Sequence, residues 1–276
     1  MQSHTRDINH IRMTWSEQGE GLPVVLVHGI PTSPALWRHV VPRLPGARCM
    51  AWEMVGYGTS RLQGRGRDIS VAKQAEYLAA FLDAMGISRA VFAGHDLGGG
   101  VVQILAVRRP ELCAGLMLTN AIGYDSWPIP SVKALRSMSG LVRRLPAAAL
   151  KPVLMLLMLR GHDTSTQAKE AMRAHWPNYA SRFGPDAFAR QVESLDVQDT
   201  IAVSDGLRQL AVPARIVWGE ADPFQKIEYG ERFSRDLGAP LHRIPGGKHF
   251  TPEDHPEAVA SAIRELVAEA SSKSTQ

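Results

Sequence analysis

Six short apolar runs recur along the chain with little polar alternation: VVLVHG (24–29), CMAWEM (49–54), AVFAGHD (90–96), GLMLTNA (115–121), ARIVWGEAD (214–222) and LHRIPGG (241–247). Such runs mark strands buried on both faces, the normal state of a parallel sheet. Between them lie helical segments at 70–86, 98–109, 224–237 and 256–270, the last opening with Pro256 at a first helical position. Strand and helix in alternation predict an α/β fold with a mostly parallel, doubly wound sheet.

The alternation stops between residues 122 and 200. No convincing strand is found there, and Pro128, Pro130, Pro146, Pro152, Pro177 and Pro185 punctuate several helical stretches. The strand pattern then resumes, so this segment reads as a helical insertion, a lid over the C-terminal ends of the strands, where open α/β sheets bind ligands. The predicted division is a core of residues 1–121 and 201–276 with a lid of 122–200. Within the lid, LPAAALKPVLMLLMLR (145–160) is the longest apolar stretch. Lys151 and Pro152 interrupt it, which suits a helix buried on several sides or lining an apolar cavity better than a membrane span. The tail EASSKSTQ reads as disordered.

Composition adds exclusions. The 276 residues are 45% hydrophobic, enough for a packed core, and the formal charge of +4 comes from acidic and basic residues interleaved along the chain. A nucleic-acid binder concentrates its Lys and Arg in one stripe, so no nucleic-acid partner is expected. Cys49 and Cys113 sit in apolar stretches and read as buried free thiols in a reducing compartment. The first residues, MQSHTRDINHIRMTWSEQ, have no apolar core of the secretory type. The expectation is a cytoplasmic protein without membrane attachment, a monomer or weak homo-oligomer.

The chemistry concentrates at GHDLGG (94–99), where an acid, Asp96, stands between glycines at a strand-to-helix junction. A carboxylate at the tip of a buried strand is costly to desolvate and is either paired or reactive. Gly94 and Gly98 leave room for a sharp, strained turn, and the Leu97 N–H at the helix start points into the space the carboxylate occupies. This is the pattern of a nucleophile elbow with Asp in the usual place of Ser.

Together with HGIPTSPALWR (28–38), GYG (56–58), WGEADPF (218–224) and GGKHFTPEDHPE (246–257), the elbow resembles the α/β-hydrolase superfamily, in its Asp-nucleophile branch of epoxide hydrolases and haloalkane dehalogenases. The resemblance spans nearly the whole chain. It implies Asp96 as nucleophile, Asp222 as triad acid and His249 as base, with the N–H groups of Ile30 and Leu97 as oxyanion hole. Asp222 could also be a plain turn residue before Pro223, with Glu220 or Asp199 as substitute acids, while His28 and Gly29 shape their loop. The implied reaction needs no cofactor or metal: Asp96 attacks an sp3 carbon of a small apolar substrate, and a water activated by His249 hydrolyses the ester.

The leaving group separates the branches. Dehalogenases of the family usually carry Trp after the nucleophile and Asn after the early HG; this chain has Leu97 and Ile30. Halide departure would then need Trp127 or Trp176 of the lid, which otherwise pack. An epoxide needs an acid at its oxygen, and Tyr124 and Tyr179 are the lid tyrosines, with His162 or His175 as substitutes. Glycines after Leu97, where a haloacid enzyme would want arginines, argue against that substrate. Epoxide hydrolysis is the expectation, ahead of dehalogenation; an ester or lactone hydrolase and a non-catalytic binding protein on the same fold stay open.

Overall fold

The computed structural model describes residues 1–273. Eight strands form one sheet: β1 (Gln2–Ile8), β2 (Ile11–Gln18), β3 (Leu22–Val27), β4 (Ala47–Trp52), β5 (Ala90–Asp96), β6 (Cys113–Ala121), β7 (Ala214–Gly219) and β8 (Leu241–Ile244). Their spatial order is β1-β2-β4-β3-β5-β6-β7-β8, with β2 antiparallel to both its neighbours, β1 and β4, and every other pair parallel. The order reverses between β3 and β5, which opens a crevice at their C-terminal ends.

The apolar runs lack alternation because both sheet faces are covered. Val25, Val27, Phe92, Leu116, Leu118, Ile216 and Trp218 point into one core. Their neighbours Val24, Leu26, Val91, Ala93, Met117 and Val217 point into another. Helices α1 (Val71–Ala84), α2 (Leu97–Arg108) and, further along the chain, α10 (Ile227–Leu237) fill the first side; α12 (Pro256–Lys273) fills the second.

The β1–β2 hairpin escaped the sequence reading, although its signals are present. Ile11, Met13 and Trp15 are buried on alternate positions of β2, and Asn9 and His10 take φ values of 50° and 62°, as a two-residue hairpin turn requires. An edge hairpin with a solvated face shows period two rather than an apolar run. The tail is also corrected: α12 continues to Lys273 because Ala270 is still buried on the sheet, whereas residues 274–276 lie outside the described residues.

Between β6 and β7 the chain forms seven helices and no strand: α3 (Pro130–Ser137), α4 (Ser139–Val142), α5 (Ala147–Gly161), α6 (Ser165–His175), α7 (Gly184–Glu193), α8 (Gln198–Ile201) and α9 (Ser204–Leu207). The apolar stretch at 145–160 is α5. Leu150, Leu154 and Met158 are buried, Leu157 lines a cavity, and Leu156 and Leu159 face out. No helix among the described residues is long and apolar enough to cross a membrane. Cys49 and Cys113 are buried free thiols, pushed up to about 12 by burial.

Candidate active site

Asp96 ends β5 and precedes α2 with φ 51° and ψ −122°, a conformation that is strained for any residue with a side chain. The turn survives because its flanks are bare. A Cβ on Gly94 would lie 2.5 Å from the Gly98 carbonyl oxygen, and one on Gly98 would lie 2.1 Å from that of Val27. The Ile30 N–H donates to Asp96 Oδ2 at 2.9 Å, and the Leu97 N–H also stabilises the charged carboxylate. Burial nevertheless dominates and pushes the Asp96 carboxyl above the ordinary aspartate range, against the pull of His249 and the two N–H groups.

Asp222 and His249 come from the loops after β7 and β8. Asp222 makes both of the contacts its sequence context allowed. Its Oδ1 accepts the Phe224 N–H at 2.7 Å, closing the Asp-Pro turn, and its Oδ2 lies 2.8 Å from His249 Nδ1. Because a carboxylate only accepts, Nδ1 carries the proton and Nε2 is left for a second partner. Burial alone would lower the His249 pKa, but the Asp222 charge and hydrogen bond, with Asp96 beyond, hold it above the ordinary histidine value. Glu220 is exposed and pairs with Arg243, while Asp199 accepts the Ala72 N–H at the start of α1; neither stands in for Asp222.

Several supporting residues were not singled out from sequence. Asn120, at φ 41° near the end of β6, donates to Asp222 Oδ2 at 2.6 Å and accepts from Gly219 N–H and the Thr251 hydroxyl. The His249 carbonyl accepts from His95 Nε2 at 3.0 Å. The N–H groups of His249 and Phe250 both donate to Gly161, the last residue of α5, so the histidine loop is tied to a helix between β6 and β7. Position beside Asp96 and in LTNA were the only hints of His95 and Asn120.

His28 behaves as expected of a loop former. The Met54 N–H donates to its Nε2 at 3.2 Å, so Nδ1–H donates to the Gly29 carbonyl at 2.9 Å, and burial pushes its pKa down to about 3.

Asp96 and His249 open onto a cavity of about 70 Å³, several times the roughly 10–15 Å³ that one water needs by the same measure. Ile30 and Leu97 of the core and Trp127, Val132, Leu157 and Phe188 from the helical segment give it mainly apolar walls. The expected polar groups of the helical segment largely fail to reach it. Tyr124 is buried beside Phe233, its hydroxyl donating to Asp236 at 3.0 Å. Tyr179 donates to Gln191 at 2.9 Å, and Trp176 is half-buried under Lys151. None of the three lines the cavity. Trp127 does, but its indole N–H donates to Thr200 at 2.7 Å. His162 and His175 are also engaged elsewhere: His162 pairs with Asp254, and His175 bridges Ser33 and Glu253. Helix α10 accounts for one last difference. It starts at Ile227 rather than 224, because the Asp222 turn holds 222–226 as a loop, and that loop brings Phe224 and Gln225 to the cavity.

A sheet with this strand order, an acid on a strained elbow and an acid–histidine pair on the following loops define a hydrolase of the α/β type. The chain belongs to the alpha/beta hydrolase fold family, whose model matches residues 23–256. It is 29% identical over 280 residues to haloalkane dehalogenase 2 of Mycobacterium tuberculosis (strain ATCC 25618 / H37Rv), covering 94% of this chain and 92% of that one. Among solved structures it is similar to an alpha/beta hydrolase fold protein from Burkholderia ambifaria, with TM-score 0.85, 26% identity and coverage of 95% and 97% of the two chains. The epoxide hydrolase CorEH shares the fold at TM-score 0.80, with 21% identity over 96% of this chain and 98% of its own. The chain is thus similar in sequence to haloalkane dehalogenases and shares its fold with an epoxide hydrolase.

Proposed function

We propose that this protein is a cofactor-free hydrolase in which Asp96 displaces a leaving group from an sp3 carbon of a small, largely apolar substrate, residues 122–200 forming the cap over the site. The observation that carries the reading is the 2.9 Å bond from Ile30 N–H to Asp96 Oδ2. With one oxygen held there, the other is the attacking atom. A carbon–oxygen bond forms, the bond to the leaving atom breaks, and that atom departs with the electron pair. The held oxygen becomes the ester carbonyl. His249 then takes a proton from water as the water oxygen adds to that carbonyl carbon, and the Ile30 and Leu97 N–H groups stabilise the oxyanion. Collapse releases the alcohol, which receives the proton from His249, and leaves Asp96 as the carboxylic acid; its remaining proton is lost by way of His249 to solvent, which restores the carboxylate.

The engagement of the Tyr124 and Tyr179 hydroxyls away from the cavity supports a leaving group that needs no proton, so halide displacement moves ahead of epoxide opening. The similarity to haloalkane dehalogenases agrees with this order. Ile30 and Leu97, which bring no side-chain N–H, favour the epoxide reading, and it stands second. Matched 1-bromobutane and 1,2-epoxybutane decide: bromide release exceeding diol formation is the expected result, and diol without bromide reverses the order.

A further inference from the structure

We infer that Gln225 binds the departing atom of the substrate and so selects for molecules with one electron-rich heteroatom on the attacked carbon. The inference rests on the Asp96 reading above.

Gln225 lines the same cavity as Asp96 and His249. It is only 3% exposed, and its Oε1 is buried with no hydrogen-bond partner. Buried polar atoms are normally paired, and an unpaired carboxamide oxygen on a residue that lines a ligand-sized cavity points to a ligand. Trp127 is the other cavity residue with a neutral side-chain donor, and Thr200 already takes its N–H. The Gln225 backbone is pinned: its carbonyl accepts the Trp218 indole N–H at 2.9 Å, three residues beyond the acid that orients His249. A half-turn of the carboxamide exchanges oxygen for NH2, so either end can be turned to the cavity and the NH2 end offered as a donor.

The amide transfers no proton. As the carbon–heteroatom bond breaks and its electron pair settles on the heteroatom, N–H donation becomes stronger than in the ground state, which lowers the barrier of the displacement. This assigns to Gln225 the role that the sequence looked for in the lid tryptophans and tyrosines.

The test uses Gln225→Met, of similar length without a donor, and Gln225→Glu, which replaces the donor with an acceptor. Each is placed in a His249→Gln background, and ester formation on Asp96 from 1-bromobutane is followed by intact mass. Both are expected to slow ester formation roughly 10- to 100-fold, with Glu slower than Met and the melting temperature of the Met variant unchanged. In parallel, tryptophan fluorescence measures binding of butan-1-ol and pentane; Gln225→Met should weaken the alcohol about tenfold and leave the alkane unchanged, whereas a merely structural residue would affect both alike. Where the Gln225-containing parent forms ester, equal rates with and without Gln225 overturn the inference. Where that parent forms none, the Asp96 reading has failed, and an unchanged alcohol-to-alkane ratio then overturns the role of Gln225 by itself.

Discussion

His249 Nδ1 and Asp222 Oδ2 are 2.8 Å apart, on loops that follow neighbouring strands β7 and β8. The contact fixes the histidine tautomer and raises its affinity for a proton. Ester hydrolysis needs neutral His249, so this step is off at low pH and switches on as pH rises through a pKa above the ordinary histidine value. Asp222→Asn removes the raising charge. The single-turnover hydrolysis profile of this variant should show its acid limb at lower pH, and a much reduced plateau rate because the tautomer is no longer enforced. An unmoved limb would mean that another group is titrating.

Replacing Asp96 by Ala removes the proposed nucleophile, the carboxylate that accepts the Ile30 N–H and is stabilised by the Leu97 N–H. Turnover should fall by at least about 1,000-fold, while the melting temperature holds or rises, since burial disfavours the charged carboxylate and the elbow is strained. Comparable turnover in the freshly purified variant would exclude Asp96 as nucleophile.

His249→Gln should still be alkylated and should then stall, because the proposed attack by Asp96 needs no base. Intact mass would show the alkyl group on the protein in near-stoichiometric amount. If alkylation and hydrolysis are lost together, the Asp96 ester is not an intermediate and the proposed function fails.

Tyr124→Phe and Tyr179→Phe each remove a hydroxyl that bonds protein rather than cavity. Stability should drop by about 1 kcal/mol apiece, with turnover within roughly threefold of the parent. A selective loss of epoxide opening in either variant would restore the phenol as the acid.

Glu253 joins α11 (Thr251–Asp254) to α6 and to the loop after β3, meeting His175 at 3.2 Å and Arg38. Burial would raise its pKa, but His175, Arg38 and His162 together pull it down to about 2. A depressed carboxyl stabilises the fold above its unfolded pKa and loses that contribution as pH falls to the folded one, here from about 4.5 towards 2. At about 1.4 kcal/mol per pKa unit the contribution is roughly 3 kcal/mol. Glu253→Gln should lose about this much at pH 7 and show a flatter acid unfolding curve below pH 4.5; a curve parallel to the parent's would remove Glu253 as the titrating group.

What the sequence by itself determined follows from local rules. Strands buried on both faces must read as unbroken apolar runs, which made β3 to β7 visible, whereas β8 is an edge strand with His242 and Arg243 exposed. A strained turn needs bare flanks, which made Asp96 visible between Gly94 and Gly98. The order of short motifs implied Asp222, His249, Ile30 and Leu97; the fold brings Ile30, Leu97 and His249 around one cavity and sets Asp222 behind the histidine. Even the β1–β2 hairpin was written in the alternation of Ile11, Met13 and Trp15. Only the tertiary structure decided where the lid's polar groups point. Tyr124 meets Asp236 from 112 residues away, and Trp127 meets Thr200 from 73. Gln225 is left without a partner for its Oε1 because the Asp222 turn delays α10 and holds it in the cavity wall. A hydrogen-bonding side chain is spent or free according to which neighbour packing supplies, and spacing along the chain carries no record of that neighbour.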